Sequence, residues 1–378
     1  MKEVIKSCEF VCPGHPDKVA DQIADKLLDS CLEKDKHSRT AFEILVKSNT
    51  VVVAGEVSSR CKIEEKLLGK IKEVVKEIGY INNGYEFNSN NIKVINLLRS
   101  QSEDIARGVT KSRNKIGAGD QGIMIGYATD ETDEFLPYQY SLARKIILRA
   151  REVQEKGILP YLGPDGKTQV SVLFKDNKPV QILDIVLSLQ HTQEKSITRL
   201  RNDFIEYILY PVLPKNLWNG STKNIYINHT GRFIKGGPDA DCGLTGRKIT
   251  IDAYGSEVPA GGGAFSGKDP TKVDRSFAYM ARFLAKNIVA NKLAKKCLIT
   301  FSFVIGSEKP INFEVETFGT GKLPDSKIKE TIIRKFPQSV KEVIDFLQLQ
   351  QPFYYSTAKS GHFGCVQADK PWEKILVI

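Results

Sequence analysis

One order of elements, helix then hairpin then helix, occurs three times in the chain and restricts its fold more than any other feature. Segment 16–33 carries Val19, Ile23, Leu27 and Cys31 at a spacing of four and begins with a proline, so it reads as an amphipathic helix. Apolar runs 41–46 and 51–57 flank Lys47-Ser48-Asn49-Thr50 and read as a β-hairpin, and 63–78 reads as a second helix. The order returns as helix 140–156, hairpin 168–174 with 180–190, and helix 196–209. It returns again as helix 273–291, hairpin 298–305 with 311–318, and helix 326–336. Recurrence at roughly 120 residues predicts an α+β fold of three similar domains related by a pseudo-threefold repeat, each an antiparallel sheet covered by helices. The expected division is 1–101, a linker or mobile lid at 102–114, 115–233 and 234–378. Segment 100–115 suits either a linker or a lid, being rich in Ser, Arg, Asn and Gly with little periodicity.

Composition narrows the function classes. No apolar run approaches the ~20 residues of a membrane span, and Met1 to Lys6 lacks the apolar core of a secretion signal. A cytoplasmic protein without membrane partners is expected. Seven cysteines, an odd number scattered over 378 residues, do not make a disulfide framework. Cys8, Cys12 and His15 have zinc-like spacing but no fourth ligand, so buried thiols in a strand beside an active-site turn are the better reading. A formal charge of +10 favours an anionic partner. That partner is either nucleic acid or a polyphosphate; no interleaved basic and aromatic motif of a nucleic-acid module is visible, and charge alone does not decide.

The glycine-rich stretch 261–275 favours the polyphosphate over nucleic acid. Its glycines let a backbone approach closely, Lys268 and Lys272 lie one helical turn apart, and Asp274 is a candidate for a divalent cation. Residues 262–268 spell the first seven positions of a P-loop, but Asp269 replaces the Ser or Thr and no apolar strand precedes them. Residues 117–122 fit a dinucleotide-binding G-x-G-x-x-G, yet charged residues stand before them where that motif needs a buried strand. Gly14-His15-Pro16-Asp17-Lys18 opens the first helix, where free amides and the helix dipole attract anions. Asp165-Gly166-Lys167 and the run 241–248 repeat the combination of carboxylate, glycine and cation.

These motifs, with Thr230-Gly231-Arg232-Phe233 and Gly361-His362-Phe363-Gly364, resemble those of the S-adenosylmethionine synthetase (methionine adenosyltransferase) family over essentially the whole chain. The resemblance implies attack of methionine sulfur on C5′ of ATP, followed by hydrolysis of the expelled triphosphate to diphosphate and phosphate. A different Mg-dependent, ATP-hydrolysing phosphotransferase is the alternative. The resemblance gives catalytic roles to His15, Lys167, Arg247, Lys268 and Asp120. It implies ATP binding by His15, Asp165, Gly166, Lys167, Arg232, Phe233 (stacked on adenine), Asp241, Arg247, Lys248, Ala264 and Lys268. Glu56, Gln101, Asp241 and Lys272 would bind L-methionine. Asp17 and Asp274 would bind two Mg²⁺ ions per site, Glu43 one K⁺, and 100–111 would form a mobile lid. The family's sites lie between subunits of a dimer or dimer of dimers. Cys12, Pro13 and residues 256–260 depart from the usual pattern, and none of them is an implied ligand.

Overall fold

The computed structural model describes residues 3–81, 84–100, 110–112, 115–192 and 195–378. The first expected unit is helix α1 (Pro16–Leu32), hairpin strands β2 (Arg39–Lys47) and β3 (Thr50–Ser58), and helix α2 (Leu67–Ile78), all preceded by β1 (Glu3–Val11). Strands β4 (Lys93–Arg99), β5 (Thr110–Ser112), β6 (Lys115–Ile116) and β7 (Gly122–Thr129) lead to the second unit. That unit is α3 (Tyr138–Glu155), β8 (Leu162–Lys175), β9 (Lys178–His191) and α4 (Ile197–Phe204). After β10 (Ile225–Ile227) and β11 (Gly243–Leu244) comes the third: α5 (Val273–Ala290), β12 (Lys296–Phe303), β13 (Asn312–Glu316) and α6 (Asp325–Lys335).

Two helices differ in their winding from the sequence expectation. Residues 63–66 form a tight 3₁₀ turn before α2, and 205–209 form a wide π turn after α4. Such departures are common at helix ends. The β8–β9 turn has Asp176 and Asn177 at φ +48° and +64°, the left-handed pair that suits the twist of a two-residue hairpin.

Three larger sheets have the orders β1-β8-β9-β10, β11-β2-β3-β4 and β13-β12-β7. Antiparallel pairing dominates, but β4 runs parallel to β3 and β10 parallel to β9, which corrects the expectation of wholly antiparallel sheets. The reason is the connection: α2 separates β3 from β4 and α4 separates β9 from β10, and a helical crossover returns the chain in the same direction. Each hairpin also receives a strand from another part of the chain. β1 pairs with β8, β7 with β12, and β11 with β2, so the exchange runs in a cycle.

α1 and α5 lie inside this arrangement. Every residue of α1 except Lys26, and every residue of α5 except Ala290, is buried. The apolar residues of α1 serve the core as their spacing predicts. Its polar residues other than Lys26 are buried too, several of them beneath the site described next.

Candidate active site

Between β1 and α1 the backbone passes close against β8, and glycine makes that approach possible. A Cβ on Gly14 would lie 2.3 Å from the Pro164 carbonyl oxygen, and Tyr80 donates to the Gly14 carbonyl at 2.5 Å. His15 caps α1 with its side chain: Nδ1 accepts the Asp17 N–H at 3.2 Å, and Pro16 fills the first helical position. Burial, aided by Lys248, lowers the His15 pKa to about 4, so the ring is neutral near pH 7. With Nδ1 accepting, Nε2 carries the proton and is left as a donor.

Asp17 is buried in the first turn of α1. Its carboxylate accepts the Leu244 N–H at 3.0 Å and the Lys248 ammonium at 2.6 Å, with Arg247 Nε at 3.5 Å. Burial pushes its pKa up, but Lys248 and the Leu244 amide outweigh that and hold it below the ordinary value. Lys167 and Asp241 also act electrostatically on His15, so residues from β8 and from loop 241–248 converge on the start of α1.

β8 reaches this point through an irregularity: its register with β9 shifts between Leu162 and Gly166. Bulges of this kind re-aim side chains next to sites. Asp165 is buried there and accepts the Gly237 N–H at 2.8 Å, while its own N–H donates to Gln190 at 3.2 Å. Burial raises its pKa to about 6. Gly166 lies where a Cβ would be 3.0 Å from Cys12 Sγ. Half-exposed Lys167 pairs with Glu9 at 2.5 Å. Phe233 is fixed by two hydrogen bonds to His191, and its ring edge lies 3.0 Å from where a Gly236 Cβ would stand, two residues beyond Ile234, whose carbonyl accepts from Gln190. Arg232 beside it is exposed.

A second cluster surrounds the start of α5. Lys268 pairs with Asp274 at 2.5 Å, and Lys272 pairs with buried Asp269. Backbone packs closely over this loop. A Cβ on Gly263 would lie 2.3 Å from Asp274 Cγ, and one on Gly122 would lie 3.2 Å from its Oδ1. Gly119 donates to the Thr271 carbonyl at 3.1 Å, which brings the hexapeptide and exposed Asp120 to the same loop.

The two clusters meet along α1. Gly246 lies against Ala264, where its Cβ would come within 2.6 Å of the Ala264 Cβ. Lys268 forms a single antiparallel bridge with Ala41 of β2, and Ala41 is in register with Glu56 of β3. Glu56 therefore shares a row with Lys268, two strand spacings or ~10 Å away. Glu43 is within electrostatic reach of both Lys268 and Asp21. Gln101, expected as a methionine ligand, lies outside the described residues, as does most of the expected lid at 102–114.

Sequence reading missed the buried charges beneath these clusters. Lys18 bridges Asp21 at 3.1 Å and Asp252 at 2.6 Å, and Arg275 binds Asp25 through two contacts of 2.7 Å. His362 hydrogen-bonds the Tyr279 hydroxyl at 2.8 Å, and its Nε2 lies 3.9 Å from Asp252. Carboxylates four apart on α1 were the available signal. Cys8 and Cys12 are buried, and burial pushes the Cys8 thiol up to about 12. Among the described residues, no group of three or more His, Cys, Asp or Glu gathers as a metal site, and no helix is long and apolar enough to cross a membrane.

Three family descriptions match the chain: S-adenosylmethionine synthetase N-terminal domain over residues 3–103, central domain over 115–233 and C-terminal domain over 235–374. Curated relatives named S-adenosylmethionine synthase agree along the full length. One from Clostridium tetani is 45% identical over 377 residues, covering 97% of this chain and 96% of its own. One from Thermus thermophilus is 45% identical over 378 residues, covering 97% and 94%. One from Desulforudis audaxviator is 43% identical over 385 residues, covering 99% and 97%.

Proposed function

We infer the chemistry from one premise: the chain belongs to the S-adenosylmethionine synthetase family. It is a methionine adenosyltransferase, making S-adenosylmethionine from ATP and L-methionine. In our reading, a sulfur lone pair attacks C5′ of ATP, the C5′–O bond breaks, and triphosphate leaves with the bonding electrons. Water then cleaves the triphosphate to diphosphate and phosphate. A thioether is a neutral nucleophile and carries no proton to remove, so the first step needs no general base. What remains for the enzyme is alignment of sulfur with C5′ and stabilisation of charge on the leaving group.

The convergence of His15, Lys167, Arg247 and Lys248 on the first turn of α1 carries this reading. Neutral His15 donates through Nε2 to the triphosphate near its bridge to C5′, while Lys167, Arg247, Lys248 and Lys268 bind its oxygens. Phe233 stacks on adenine, with Asp165, Gly166, Arg232, Asp241 and Ala264 completing the nucleotide site and Asp120 beside the substrates. Glu56, Gln101, Asp241 and Lys272 hold the amino and carboxylate groups of methionine. Asp17 and Asp274 are single hard-oxygen donors, a set that suits Mg²⁺ ions completing their coordination with phosphate oxygens and water. Two such ions, when bound, would neutralise charge on the triphosphate. Glu43 is the oxygen donor for K⁺.

The recurring element order supports a pseudo-threefold arrangement of 1–101, 115–233 and 234–378, with 102–114 as lid. Self-association as a dimer or dimer of dimers, with sites between subunits, is supported by the outer sheet faces. Ile95 and Leu97 of β4 and Ile123 of β7 are each about half exposed there, an apolar surface of the kind that marks protein contacts. We place the enzyme in the cytoplasm.

Incubation with ATP, Mg²⁺ and L-methionine should give S-adenosylmethionine, with phosphate release dependent on methionine. ATP hydrolysis indifferent to methionine, with no sulfonium product, would replace this reading by that of a plain phosphotransferase or ATPase.

A further inference from the structure

We propose that Asp21 and Asp25 are positioning residues of this reaction: by accepting the Gly246 and Gly267 N–H groups on successive turns of α1, they set where Arg247, Lys248 and Lys268 stand around the triphosphate. The proposal rests on the reading of those three cations as triphosphate ligands.

α1 carries carboxylates at Asp17, Asp21, Asp25 and Asp29, four residues apart and hence stacked on one face. On an exposed helix such a row is a solvated, self-repelling stripe. Here all four are buried, and each accepts backbone N–H groups from residues between 244 and 355. Asp17 takes Leu244 at 3.0 Å, Asp21 takes Gly246 at 2.9 Å, and Asp25 takes Gly267 at 2.9 Å. Asp29 takes Tyr354 and Tyr355 at 2.9 and 2.8 Å.

The two middle rungs hold the loops that bear the cations. Gly246 immediately precedes Arg247 and Lys248, and Gly267 immediately precedes Lys268. Both glycines have left-handed backbones, at φ +75° and +82°. Each turn is also tied to β2, through the Thr245 N–H to the Ile44 carbonyl at 3.1 Å and the Phe42 N–H to the Gly267 carbonyl at 3.1 Å, and the α1 carboxylates add a hold on the glycine N–H itself. Asp21 and Asp25 stand one helical turn apart, ~6 Å along the axis. α1 thus spans the two loops and ties each to a rigid rung.

The rungs themselves are clamped. The other oxygen of Asp21 meets Lys18, which also binds Asp252. Both oxygens of Asp25 meet Arg275, whose guanidinium additionally donates to the Lys268 carbonyl at 3.2 Å. Buried carboxylates with two fixed partners do not swing, which is what pre-organised cations require.

Asp29 provides the internal control, because it uses the same device to hold a segment that carries none of the three cations. The test measures S-adenosylmethionine formation per folded molecule, KM for ATP, and Tm, in the full-length enzyme. Asp21→Ala should lower kcat by ~10²-fold, the cost of displacing a charged group by about an ångström, with a smaller change in KM. Asp21→Asn, which keeps an oxygen acceptor for Gly246, should recover about tenfold of that loss. Asp29→Ala should lower Tm while keeping kcat within about twofold of wild type, as expected where truncation costs stability and not alignment. Equal kcat in Asp21→Ala and Asp29→Ala at comparable loss of Tm would reduce the row to a structural device and overturn the proposal. If Asp21→Ala does not fold, Asp21→Asn against Asp29→Asn decides by the same criterion. Absence of product from the wild type is a separate failure, that of the underlying reading.

Discussion

α1 and α5 begin with the same pairing and reach it by different means. Each has an aspartate in its first turn, Asp17 and Asp274, bound to a lysine from a preceding or distant loop at 2.6 and 2.5 Å. At α1 the pair is held by side chains: His15 caps the helix and Asp17 accepts a backbone N–H from Leu244. At α5 no side chain caps the helix, and Asp274 is instead enclosed by the bare backbones of Gly263 and Gly122. One aspartate–lysine pair depends on hydrogen-bonding side chains, the other on the absence of Cβ atoms. They should therefore fail under different substitutions.

Loss of charge should do the most damage. If Lys268 binds the leaving group as proposed, Lys268→Ala is expected to lower kcat by ~10³-fold, the upper range for one transition-state contact, with an unchanged circular dichroism spectrum. Near-normal turnover would place Lys268 outside the phosphate site and leave α1 to act alone. A smaller loss, ~10²-fold, is expected of Gly263→Ala, whose new Cβ would stand 2.3 Å from Asp274 Cγ and so displace it. Gly262→Ala is the control, since its Cβ meets nothing within 4 Å and its backbone is not left-handed. If both alanines behave alike in kcat, enclosure by backbone is not what fixes Asp274.

At the α1 end, Asp17→Asn keeps an acceptor for Leu244 but removes the charge. The Mg²⁺ concentration for half-maximal activity should rise about tenfold, within the range for weakening a metal site. An unchanged Mg²⁺ titration would assign Asp17 to helix capping and the Lys248 ion pair alone.

The same contrast explains what was legible in the sequence. Glycines at 117–122 and 261–263 announce close backbone approach, because few other roles need that residue in such density. The structure brings one glycine of each stretch, Gly122 and Gly263, against Asp274. Helix and hairpin periodicity likewise located every element of the three units. The row of aspartates on α1 was not legible as a device. Spaced polar residues on an amphipathic helix mean solvent unless their partners are known, and the partners are N–H groups more than two hundred residues away. The cyclic exchange of β1, β7 and β11 was hidden for the same reason: pairing of distant strands leaves no local pattern. The parallel edge strands β4 and β10 were missed because both lie beyond the recurring unit, after its second helix.

The smallest effect is on stability alone, and it separates the two ends of α1. Asp29 has no cation on either oxygen, only the two tyrosine N–H groups, and burial raises its pKa to about 7. An acid whose folded pKa exceeds its unfolded value of about 4 holds a proton in the folded state that the unfolded chain has released. The folded state then binds more protons than the unfolded state between those two values, so this residue's contribution to stability declines as pH rises from about 4 to about 7 and is flat above. The span corresponds to on the order of 4 kcal/mol at full burial. Asp17, held low by Lys248, has the opposite sign: its contribution is present above pH 4 and is lost on acidification. Asp29→Asn, neutral at every pH, should flatten the fall in Tm across pH 4–7 without altering kcat, whereas Asp17→Asn should leave that fall in place. Superimposable Tm–pH curves for Asp29→Asn and wild type would mean that the carboxylate is ionised throughout, and that the two tyrosine N–H groups suffice where Asp17 needs a lysine.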